Sequence, residues 1–167
     1  LSRASSYPDK QVLRHGEDIL TNKRLVDWFK DYFPISIEGD RADDCGLYYA
    51  NSIWLLKRTG GMSGAIQKKK KTVDACKPVL LATLRNLEKV ELLCVFGVQA
   101  HSAICDAFGI NTSWKNAKEN VYPDTVDFEG RQLKVVALNH PAARIPPEGT
   151  KRRLHTLLDQ LGFSKKI

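Results

Sequence analysis

Apolar positions along the chain come in runs of alternating period. Residues 16–33, GEDILTNKRLVDWFKDYF, predict a helix. Leu25, Val26, Trp28, Phe29, Tyr32 and Phe33 form one broad apolar face, and Pro34 ends it. Residues 47–56, LYYANSIWLL, predict a strand with one polar interruption at Asn51-Ser52. The next stretch, KRTGGMSGAIQKKKK, reads as a glycine-bearing loop whose charge is wholly positive. Residues 72–88 predict a second helix, with Thr72 as its cap and Val73, Cys76, Val79, Leu80, Leu84 and Leu87 at helical spacing.

The continuous apolar run VELLCVFG, residues 90–97, predicts a strand covered on both faces. It turns at Gly97 into a helix, VQAHSAICDAFG. Residues 111–131 read as irregular, with room for a short extra strand, and QLKVVALNHP is the next core strand. Pro146-Pro147 make a stiff extended bend, after which Thr150 caps a last helix with Leu154, Leu157, Leu158 and Leu161 facing the core.

Helix and strand therefore alternate from end to end. That order predicts an α/β fold, a three-layer α/β/α sandwich with a mainly parallel central sheet, in a single domain spanning residues 1–167. Ligands of such folds bind beyond the carboxyl ends of the strands. Three stretches are expected to converge there: the chain from Asn51 onward, Gly97 to His101, and Asn139 to Arg144.

Lys and Arg outnumber Asp and Glu, 26 to 19, for a net charge of +7, which fits a polyanion partner or simple solubility. Cys45, Cys76, Cys94 and Cys105 form no CxxC pair and read as reduced thiols rather than as disulfides or a zinc site. No apolar run approaches the roughly 18 residues of a membrane span. No signal peptide is visible, and a cytoplasmic, nucleoid-associated monomer is expected.

Four features carry candidate chemistry. His140 follows an apolar strand and precedes a proline that fixes the exit direction. A ring held there can donate to a developing negative charge, although a lone histidine is more often satisfied by backbone. Asn51 carries a donor and an acceptor side by side, which suits the edge of a nucleobase. The backbone amides at Gly97 can face an anion. The lysines of QKKKKT read first as a solvated loop, and in a basic protein they also suit a phosphate backbone.

Taken in order, YYANSIWLLKR, DACKPVLLATL, VFGVQAHSA and ALNHPAAR resemble the motifs of the uracil-DNA glycosylase superfamily, particularly the branch of iron–sulfur uracil glycosylases. The likeness covers roughly residues 47–163. It implies a monofunctional DNA glycosylase that flips out uracil or another damaged or modified base and hydrolyses its bond to the sugar, leaving an abasic site. In this likeness His140 stabilises the leaving base, with Ser6 or Asp9 as candidates to place the attacking water. Asn51, Tyr7, Pro8 and Tyr49 line the base pocket. Gly97, Gln99, His101, Pro141, Ala142, Arg144, Lys69 and Lys70 meet DNA.

The chain departs from the family at three points. SSYPDKQ stands where a glycine-led motif places an acidic or amide residue, and the N-terminal strand with part of that motif is expected to lie before Leu1. Cys76 matches one cluster ligand, but Leu55 stands at another, so no iron–sulfur cluster, other metal or cofactor is expected. Asp18 lies near the position of the phenylalanine that stacks on uracil, which leaves room for another base. The alternative reading is a non-catalytic nucleic-acid-binding protein. A small-molecule hydrolase using His140 or His101 is a third, set back by the lack of a recognisable nucleophile elbow.

Overall fold

The computed structural model describes residues 20–33, 70–120 and 122–165. Along the chain these form α1 (Leu20–Phe29), α2 (Lys70–Asn86), β1 (Leu92–Phe96), α3 (Val98–Phe108), α4 (Trp114–Ala117), β2 (Asp124–Phe128), β3 (Arg131–Leu138) and α5 (Pro147–Gln160). The expected strand at 47–56 and the lysine-bearing loop up to Lys69 lie outside the described residues. The chain divides into two compact units: α2 through β3 belong to one, and α1 with everything after Leu138 belongs to the other.

In the first unit β3 is the central strand. Its partners are β1, parallel with Leu92 opposite Lys134 and Phe96 opposite Leu138, and β2, antiparallel with Phe128 opposite Arg131. The sheet thus has three strands in the order β1-β3-β2 and is mixed. This corrects the expectation of a mainly parallel central sheet within a three-layer sandwich. The cause is local. Glu129 and Gly130 have φ of 54° and 82°, both in the left-handed region, and that pair of conformations closes a two-residue hairpin whose twist matches its strands. Asp127 Oδ1 accepts the Gly130 N–H at 3.2 Å and completes the turn. A hairpin can only join antiparallel neighbours, so the short extra strand for which residues 111–131 have room, β2, runs antiparallel to β3.

The core of this unit gathers Leu84, Val95, Ile104, Val126, Phe128, Leu133 and Val135. Phe108 meets Phe128 edge to face, with centroids 5.7 Å apart. β3 is buried from Val135 to Leu138, as expected of a core strand, whereas β1 buries only Val95 fully. Among the described residues β1 pairs on one side alone, with β3.

α2 begins at Lys70, so Thr72 lies inside the helix and does not cap it. Val79, expected on the apolar face, is 40% exposed, because the stripe runs through Cys76, Leu80, Leu84 and Leu87. The helix ends under a cation. Arg131 donates from Nη1 to the carbonyls of Leu87 (3.0 Å) and Glu88 (2.7 Å), and from Nη2 to that of Leu84 (2.7 Å). Carbonyls of a last helical turn have no partner within the helix, and here a side chain from β3 supplies one.

In the second unit α1 and α5 bury Leu25, Trp28, Phe29, Leu154, Leu157 and Leu158. Their amphipathic spacing is as the sequence predicts. Tyr32 is buried after α1, and its hydroxyl donates to Asp159 Oδ1 at 2.6 Å. The carbonyl of Trp28 accepts from His155 Nε2 at 2.8 Å. Thr150 does not cap α5. The helix starts earlier, at Pro147, where a residue without an N–H and with φ preset is well tolerated. Thr150 is buried one turn in and accepts a hydrogen bond from Asn139 Nδ2 at 3.3 Å.

Candidate functional site

The last residue of β3 is Leu138, and its carbonyl accepts the N–H of Gly97 at 2.8 Å. The carboxyl ends of β1 and β3 therefore lie side by side, as the sequence predicts. From Leu138 the chain passes through Asn139 into a tight turn that begins at His140.

The turn fixes the histidine in two ways. The His140 carbonyl accepts the N–H of Ala143 at 2.8 Å, and its Nδ1 accepts the N–H of Ala142 at 3.1 Å. An imidazole nitrogen accepts only when it carries no proton. In the neutral ring the proton is therefore on Nε2, the nitrogen away from the turn. Among the described residues Nε2 has no hydrogen-bond partner. The ring is exposed, yet neighbouring atoms strip enough water from it to hold its pKa below the ordinary 6.5. At neutral pH His140 is thus an uncharged ring whose one N–H, on Nε2, has no partner among the described residues.

Two further groups hold the turn. Pro141 is fully buried. Arg24, from α1, donates through Nη1 to the carbonyl of Pro141 and to that of Ala143 at 3.1 Å. Ala142, Arg144 and Ile145 stand exposed on the same loop.

Gly97 precedes α3 with φ 89° and ψ 162°, a conformation open to glycine, and no side chain caps the helix. Gln99 is exposed on the first turn. His101, expected to face DNA, is only 4% exposed. Its ring packs edge to face on Trp114, centroids 5.6 Å apart, and its Nε2 lies 3.4 Å from Cys105 Sγ. Burial lowers the pKa of His101 and raises that of Cys105, so both are neutral groups of the interior. Pro141 likewise offers little surface to a partner, for its ring is inside.

The structure brings together His140, Pro141, Ala142 and Arg144 on one turn, and Gly97, Gln99 and His101 on α3 with its cap. Lys70 opens α2. Ser6, Tyr7, Pro8, Asp9, Tyr49, Asn51 and Lys69 lie outside the described residues. Sequence reasoning missed Arg24. A single arginine on an amphipathic helix reads as solvated, and nothing local announces a bond to a loop 117 residues away.

Among the described residues no cluster of three or more His, Cys, Asp or Glu side chains has the arrangement to hold a metal, and Cys76, Cys94 and Cys105 are free. None of the described helices is long and apolar enough to cross a membrane. No protein-family model matches the chain, and no curated protein matches it.

Proposed function

We propose that the chain is a DNA glycosylase acting on a flipped-out base, uracil or a modified pyrimidine, and that His140 is its electrophilic group. The observation that carries this reading is the His140 turn, where one ring nitrogen is bonded to the loop's own backbone and the other keeps its N–H without a partner among the described residues. When the bond between the base and C1′ of the sugar breaks, the electron pair goes to the base and positive charge develops on the sugar. Nε2–H donates to the base oxygen on which the negative charge collects. A neutral donor does so without placing a full cation beside the cationic sugar. Water adds to C1′ and loses a proton to solvent, the departed base anion takes one up, and an abasic site and free neutral base remain. Such a bond strengthens as the base departs, so it lowers the barrier more than it tightens binding. The net charge of +7 favours DNA as the partner, and Arg144 stands exposed on the same loop, a cation that can meet a phosphate.

The test is base release from DNA carrying uracil, hypoxanthine, or hydroxymethylated and glucosylated cytosines. His140→Ala is expected to lower the rate by about two orders of magnitude or more while changing DNA affinity little. Loss of rate and affinity together would contradict the role. Salt-dependent binding with no base released from any substrate would establish the non-catalytic nucleic-acid-binding alternative.

A further inference from the structure

We infer that Arg24 is the positioning residue of the His140 turn: its guanidinium sets which nitrogen of His140 carries the proton and where that N–H points. The ring's state follows from the turn's bonds directly, and its consequence for catalysis rests on the glycosylase reading.

A loop of His-Pro-Ala-Ala has few side-chain atoms with which to hold itself. Ala142 and Ala143 contribute none beyond a methyl group, and Pro141 has no N–H. Backbone bonds define its geometry. The N–H of Ala143 goes to the His140 carbonyl and that of Ala142 to His140 Nδ1. The carbonyls of Pro141 and Ala143 point elsewhere, and both are taken by one nitrogen, Arg24 Nη1. The Pro141 carbonyl belongs to the same peptide unit as the N–H that meets the ring, and the Ala143 carbonyl lies just beyond it. If that peptide rotates, the Ala142 N–H swings off Nδ1. The ring then loses the one bond that selects its tautomer, and protonation of Nδ1 no longer breaks anything.

Arginine suits this task. Its planar, always-charged head is held by a long stem, and charge-assisted bonds to carbonyls are stronger than neutral ones. Arg24 is partly buried on α1, whose Leu25, Trp28 and Phe29 are anchored in the core of the same unit. The stem therefore starts from a fixed point. The other flank of the turn is tied by the bond from Asn139 to Thr150 on α5.

The experiment reads the ring itself. Nitrogen-15 NMR of the imidazoles, with the His140 signals assigned by their loss in His140→Ala, reports tautomer and titration together. The native chain is expected to show His140 protonated on Nε2, titrating below an ordinary histidine. In Arg24→Ala the two tautomers should mix and the titration should move up toward the ordinary value. Arg24→Lys keeps the charge without the fork and should restore part of both signatures. The α5 amide resonances serve as the fold control. If Arg24→Ala does not fold, Arg24→Lys and Arg24→Gln carry the same comparison. An unchanged His140 tautomer and titration in a folded Arg24 variant overturns the inference.

Base release separates this from the functional reading. With a substrate found, Arg24→Ala should lower kcat by about tenfold to a hundredfold with DNA affinity held, as misplacement of a reacting group does. NMR changes in a chain that releases no base uphold the role of Arg24 and count against the glycosylase. Base release with unchanged NMR does the reverse.

Discussion

Replacing Arg131 tests how this fold finishes its longest described helix. In Arg131→Ala three carbonyls at the end of α2 lose a charged donor. A net bond to a charged group is worth about 1.5–3 kcal/mol, but these three are not independent. The Leu84 carbonyl keeps a long backbone bond from Leu87 N–H at 3.3 Å, and the Leu87 carbonyl keeps one from Val90 N–H at 3.1 Å. Glu88 is exposed, so water replaces the arginine there. The guanidinium also lies 5.3 Å from the Phe128 centroid, a contact worth about 0.5 kcal/mol at a partly exposed site. Together these give a loss of about 2–3 kcal/mol. Arg131→Lys keeps the charge but only a point donor, and should lose about half as much. Urea denaturation followed by circular dichroism measures the loss. Native-state hydrogen exchange should localise the faster opening to the last turn of α2. A loss below about 0.5 kcal/mol, or exchange that speeds up everywhere but there, would show that the cap is ornamental and that packing alone ends the helix.

Gly130→Ala should cost about 1 kcal/mol, read from the shift in urea midpoint. An added Cβ meets no atom within 4 Å, so the backbone φ of 82° is the whole cause, and Gly130→Asn should cost less. A second measurement is stability against pH. Burial lowers the pKa values of His101 and His140 from 6.5, so between the folded values and 6.5 the unfolded chain binds more protons. Stability should be whole above 6.5 and fall as pH drops through the folded values. The slope should flatten in a variant lacking both rings, and an equal slope there would rule out this linkage. The thiols give a third test. Burial pushes Cys94 up to about 12 and raises Cys105, so at pH 7 both should resist iodoacetamide in the folded chain and react on unfolding. Labelling of either in the folded protein as fast as free cysteine would contradict their burial.

Much of the local structure was legible because it depends on periodicity. The faces of α1 and α5, the strand β3 and the helix after Gly97 follow from spacing alone. The sheet topology was not, because it turned on two residues. The short extra strand expected within residues 111–131 is present, but its pairing was missed: Glu129-Gly130 sits between DTVDF and RQLKVVAL, two strand-forming runs on either side of a two-residue link. A two-residue loop with glycine second is a hairpin signal, and a hairpin excludes a parallel pairing of the strands it joins. The helix starts failed for a related reason. Thr72 and Thr150 are good caps in isolation, but lysines propagate a helix readily and proline fits the first helical position, so each helix began sooner.

His101 and His140 show why the site was only half legible. In the sequence both are lone histidines near the ends of core strands, and in the structure both have pKa values held down by loss of water. Their surroundings differ in what becomes of the ring. His101 shares the helical stripe of Ile104 and Phe108, at spacings of three and seven, and that period alone marks it as a ring of the interior. It packs on Trp114 and Cys105 and has nothing left to offer a substrate. His140 falls after the last strand residue, where period says nothing and the next residues have almost no side chain. Its state is decided by one backbone N–H two residues on, and the peptide carrying that N–H is braced by carbonyls that Arg24 holds. A buried histidine packed on an aromatic ring and a thiol is a packing element. A histidine with one nitrogen engaged by a braced backbone and the other without a partner among the described residues keeps a donor of fixed tautomer, and it is this asymmetry, not the lowered pKa the two rings share, that sets His140 apart from His101.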